Sequence, residues 1–148
     1  MGRGAKVPSI GLAASRAGVR HGVNVQVVTD PDGRLLWLSP ALPGRSHDLT
    51  AARTRRIIRI CERQGVPILA DLAYQGGGPW LTRASNKGPC RNSPPPRRPS
   101  TGPWPRHGAP VERGVARLKS WRIFRRARCS PNRMTSIAKA VLTLERQR

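Results

Sequence analysis

The sequence predicts an α/β fold in which a β-hairpin lies beside a buried strand that ends on a carboxylate. Three observations carry this. Residues 23–39 read as two strands around a tight turn, residues 66–71 as a short apolar strand closing on Asp71, and residues 109–148 as amphipathic helices.

Taken in order, residues 1–20 show no hydrophobic period and are expected to be frayed. From Val23 to Thr29, Val23, Val25 and Val27 alternate with Asn24, Gln26 and Val28, a strand with one face more apolar than the other. Asp30-Pro31-Asp32-Gly33 is a turn signal, and Leu35-Leu36-Trp37-Leu38 reads as the second strand of a hairpin. Residues 40–45 read as a loop. Ser46 or Asp48 can cap one helix running to Gln64, with Leu49, Ala52, Ile57, Ile60 and Cys61 inward and Gly65 as its stop.

Gly76-Gly77-Gly78 opens a different kind of sequence. Residues 83–108 hold seven of the fifteen prolines and no acid, so no regular element is expected there. Order returns at Ala109: Val111, Val115, Leu118 and Arg122 step at helical spacing. Ser130-Pro131 is a cap and first-turn pair, and Met134, Ile137, Ala138, Val141 and Leu142 form the cleanest amphipathic stripe.

The chain carries 28 Lys and Arg against 7 Asp and Glu, a formal net charge of +21 in 148 residues. Such an excess repels itself unless a polyanion neutralises it, and nucleic acid is the natural one. GC-rich coding DNA, which enriches Arg, Pro, Gly and Ala, is the bland alternative. No apolar run reaches the length of a membrane span and no signal-peptide apolar block is present, so the expected compartment is the cytoplasm. Cys61, Cys90 and Cys129 form neither a zinc spacing nor a disulfide framework.

The few acids can be weighed singly. Asp30 and Asp32 sit in the turn, Asp48 at a helix start, and Glu62 and Glu145 on exposed helix faces, all with structural explanations. Asp71 at the tip of a buried strand has few structural reasons to be there. Glu112 opens a helix in strongly basic surroundings, with Lys119 two turns on along the same face; pairing with the helix dipole is its bland explanation.

Four blocks, in order, resemble bacterial insertion-sequence transposases of the DDE type: His21-Gly22-Val23-Asn24-Val25-Gln26-Val27, Gly44-Arg45-Ser46-His47-Asp48-Leu49-Thr50, Ala70-Asp71-Leu72-Ala73-Tyr74-Gln75-Gly76, and residues 111–121, which include Glu112 and Lys119. The resemblance covers residues 21–82 and 109–148. It implies a ribonuclease-H-like fold and a nuclease and strand-transfer enzyme of DNA transposition, in which three carboxylates hold two Mg²⁺ or Mn²⁺ ions. It places the second carboxylate at Asp71 and the third at Glu112, both catalytic and metal-binding. Lys119, Arg113 and Arg117 become contacts to DNA phosphates. DNA is the implied partner, with assembly of several copies on it.

Two departures qualify the resemblance. The first catalytic Asp of such enzymes lies on a strand upstream of the His-Gly-Val-Asn block, and residues 1–20 contain no Asp or Glu. The expectation is therefore a partial ribonuclease-H-like fold that lacks its first strand, without the family's N-terminal DNA-recognition region. The second departure is the Pro-rich segment, where the family has a helical lead-in to its Glu. Back-translating residues 92–107 with GC-rich codons and reading from the third base yields a helix-forming peptide similar to that lead-in. Compensating frameshifts near Thr82 and Gly108 are the preferred reading over a disordered insertion.

The organisation expected is a non-matching segment (1–20), the N-terminal part of a catalytic core (21–82), a disordered or frameshifted stretch (83–108), and a catalytic helix with a C-terminal helix (109–148). The function expected is a decayed DDE transposase, inactive as this chain. The alternatives are a non-enzymatic basic nucleic-acid binder with incidental carboxylates, and a chain with no selected function.

Overall fold

The computed structural model describes residues 10–17, 22–70, 72–83, 109–126 and 128–148. The α/β expectation holds: a six-stranded mixed sheet carries helices on both faces. The strands are β1 (Ile10–Ala17), β2 (Val23–Thr29), β3 (Leu35–Leu38), β4 (Leu42–Pro43), β5 (Ile68–Ala70) and β6 (Leu81–Arg83). The helices are α1 (Asp48–Thr54), α2 (Ile57–Gln64), α3 (Ala109–Ser120), α4 (Arg122–Arg125) and α5 (Pro131–Arg146), with a 3₁₀ turn at Leu72–Tyr74. The sheet order is β3-β2-β1-β5-β6, and β4 pairs the outer part of β2.

Residues expected to be frayed supply the central strand. β1 runs antiparallel to β2, from Gly11 opposite Thr29 to Ala17 opposite Val23, and parallel to β5, with Leu12 opposite Ala70. The expectation that the first strand is lacking is thus corrected. Gly, Ala and Ser give residues 10–17 little hydrophobic period, and the strand is set by its two neighbours rather than by local propensity. β6, also unforeseen, is three residues long and lies parallel to β5.

The hairpin forms as its turn chemistry dictates. Asp30 Oδ1 accepts from the backbone N–H of Asp32 and Arg34 at 2.9 and 2.8 Å, and Gly33 N–H closes onto Asp30 O. All seven residues of β2 are buried, because helices cover both sides of the sheet. On one side Val23, Val25 and Val27 pack with Leu35, Leu38, Leu118, Phe124, Met134, Ala138 and Val141. On the other, Leu12 and Val28 pack with Ala52, Ile57, Cys61, Ile68, Ala70 and Tyr74.

The helix expected over residues 48–64 is two helices. The chain breaks at Arg55–Arg56, where Arg56 takes the left-handed conformation (φ 56°, ψ 20°). That break turns Ile60 outward, 51% exposed rather than inward. Gly65, at φ 67°, stops α2 as expected. The α1 cap differs from expectation: its N-cap is His47, with no side-chain cap bond. Ser130 caps α5 by accepting from Arg133 N–H, with Pro131 in the first turn, and the Met134–Leu142 stripe faces the core as read.

Candidate functional site

Of the two catalytic candidates, the structure describes Glu112, on α3. β5 ends at Ala70; Asp71 itself lies outside the described residues, as do the Pro-rich segment 84–108 and Cys90. α3 begins at Ala109, where order was expected to return, and carries Glu112 in its first turn, exposed to solvent. Arg113, Arg117 and Lys119 are exposed along the same helix.

α3 reaches the sheet through two glycines. A Cβ at Gly11 would overlap Val111 Cγ2 and Thr29 Oγ1, and one at Gly114 would overlap Thr29 Cγ2. Helix and strands therefore touch backbone to side chain, with Thr29 fully buried and its hydroxyl without a partner among the described residues. This seating puts the first turn of α3 over the Gly11–Thr29 pair, one residue along β1 from Leu12, the register partner of Ala70. β1 brings no acid to this junction: its sequence is Ile-Gly-Leu-Ala-Ala-Ser-Arg-Ala.

Sequence reasoning missed a buried polar chain on the opposite face. Asn24 Nδ2 donates to Asp48 Oδ1 at 2.7 Å and to Ser46 O at 3.1 Å. Gln26 Nε2 donates to Asn24 Oδ1 at 2.8 Å, and Tyr74 OH donates to Gln26 Oε1 at 2.6 Å. Asn24, Gln26 and Tyr74 are at most 1% exposed. Asp48 is thus tied to β2 rather than serving only as a helix start. The available signal was two amides, at alternate positions, in a strand otherwise made of Val and Thr. They read as the wetter face; with both faces covered, they satisfy one another instead.

Glu145 also departs from its exposed-face reading. Its side chain is only 7% exposed and accepts from Trp121 Nε1 at 2.8 Å, joining α5 to the α3–α4 corner. Cys61 fits the inert-thiol reading, with burial pushing its pKa above the ordinary thiol value.

Against this geometry, a family model for DDE superfamily endonucleases matches residues 16–146. The chain belongs to that family. No curated protein and no solved structure matches it at a significant level. DDE endonucleases typically use divalent metal ions. Among the described residues no three of His, Cys, Asp and Glu come together as an ion's shell, and the central strand offers no oxygen donor of the carboxylate kind. Among the described residues, the donors on the sheet do not make a two-ion centre. No helix among the described residues of this DDE family member is long and apolar enough to cross a membrane.

Proposed function

We propose that this chain is a transposase-derived DNA-binding protein that keeps the second and third carboxylates of the DDE set, Asp71 and Glu112, and does not cut or join DNA itself. The observation that carries the reading is the acid-free central strand. β1 fills the slot between β2 and β5 and pairs with both, so the place where a first carboxylate would stand holds glycine, alanine and serine.

The sheet order, with β1 antiparallel to β2 and parallel to β5, supports a ribonuclease-H-like architecture. Leu12 and Ala70 face α1 and α2, so Leu69 belongs to the side that α3 covers with Glu112, and β5 is the strand after which the resemblance puts the second carboxylate. The charge of +21 and the exposed Arg113, Arg117 and Lys119 support a phosphate-binding role within the chemistry of an insertion sequence. Because the donor set is incomplete for Mg²⁺ or Mn²⁺, no metal-dependent step follows. One observation favours the plainer alternative of a basic nucleic-acid binder with incidental acids: Glu112, exposed in the first turn of α3, is also explained by the helix dipole.

The test is incubation with supercoiled plasmid in Mg²⁺ or Mn²⁺, beside Asp71→Ala and Glu112→Ala. The expected result is no nicking above either variant, since losing one ligand of a two-metal centre removes both charge and geometry. Nicking that needs both metal and Asp71 overturns the reading.

A further inference from the structure

The arginines of the α1–α2 elbow form a cluster that the DDE reading does not use. Arg59 and Arg63 stand four residues apart on α2 and Arg56 is its N-cap, all three exposed. Arg53 and Arg55 flank it, and Glu62 is the only acid on the two helices besides Asp48, which Asn24 holds. Among the described residues none of Arg56, Arg59 and Arg63 has a carboxylate partner.

Two further features set the elbow apart from an ordinary solvated helix face. Arg56 is the only non-glycine residue at positive φ among the described residues, a conformation that costs a side-chain-bearing residue about 1 kcal/mol or more. Arg55 is half-buried, its guanidinium donating to Pro40 O at 3.5 Å, and its buried Nε has no partner among the described residues. The cluster therefore combines concentrated charge with a strained backbone at its corner.

We infer that the α1–α2 elbow is a second nucleic-acid backbone surface, distinct from the one carried by α3. The two lie on opposite faces of the sheet, since α1 and α2 cover the Leu12 and Val28 side and α3 covers the Val27 side. A phosphodiester backbone is the partner that fits: a repeating monoanion matches a group of exposed arginines without carboxylate partners among the described residues, each neutralised phosphate releasing a counterion. The inference rests on the DNA-binding reading above and extends it to a face without catalytic candidates.

The experiment is a titration of duplex DNA across a salt series with the full chain and three exposed-surface variants, each removing three positive charges. Arg56→Gln/Arg59→Gln/Arg63→Gln is expected to flatten the slope of log affinity against log salt by between about two and three, at ~0.9 for each phosphate no longer neutralised. Arg113→Gln/Arg117→Gln/Lys119→Gln is expected to flatten it by a similar amount, and the two sets to add when combined. Arg133→Gln/Lys139→Gln/Arg148→Gln, on and beyond α5, is expected to leave it unchanged. If the elbow variant keeps the parent slope, or the α5 variant flattens it as much, the second surface is overturned while the α3 reading stands. A parent chain whose DNA binding is insensitive to salt overturns both.

Discussion

The two faces of the sheet are held by different physics. The α3–α5 face is apolar and close-packed: valines of β2 meet Leu118, Phe124 and Met134, and glycines let the helix touch the strands. The α1–α2 face has an apolar patch too, but across its middle runs the Asp48–Asn24–Gln26–Tyr74 chain of hydrogen bonds. One strand, β2, serves both, with valines on one side and amides on the other. The lesson is that a strand's polar alternation does not report solvent; it reports what the covering helices can offer in return.

Four substitutions sharpen or break that contrast. The largest effect is expected from Leu118→Ala, which removes a fully buried side chain from the apolar face. A cavity there should cost about 2–5 kcal/mol, read as a lower urea midpoint at unchanged slope. A cost as small as that of a surface change would mean that the α3 face is not a packed core.

Tyr74→Phe on the polar face should cost less, about 1–3 kcal/mol, because it leaves Gln26 Oε1 buried without its donor. The relay makes a further demand. Tyr74→Phe combined with Gln26→Leu should cost less than the two single changes added together, since the pair removes both ends of one bond. Strict additivity in that double-mutant cycle would show that Tyr74 and Gln26 are not coupled.

The smallest effect has the opposite sign. Arg56→Gly should stabilise the chain by roughly 1 kcal/mol, because glycine enters the left-handed region without a Cβ penalty. The gain is partly offset by the greater freedom of glycine in the unfolded chain. A loss of stability would show that Arg56 makes contacts at the elbow that outweigh its backbone strain.

What was legible in the sequence was local. The Asp30–Gly33 turn, Gly65 and Ser130-Pro131 act through bonds a few residues long, so their chemistry can be read where it stands. What was not legible was held at a distance. β1 is a strand because β2 and β5 flank it, and β6 because β5 lies beside it. The break at Arg56 hides inside an apolar pattern that continues across it, which is why the sequence pattern points Ile60 inward. Of the site, Glu112 and its basic neighbours stand on the helix expected for them, Asp71 lies outside the described residues, and the lack of an acid before residue 21 was plain from composition.

The pairing of β1 also sets an order of events. Its antiparallel partner β2 follows after residues 18–22, so those two strands can zip together early and at small entropic cost. Its parallel partner β5 arrives only after the whole of β3, β4, α1 and α2 has been passed. Until then the far side of β1 is an open edge with unpaired N–H and C=O groups, in a strand of small residues with little charge to discourage another chain. Closing it is a long-range step, which slows folding and widens the window in which a second copy can take the place of β5.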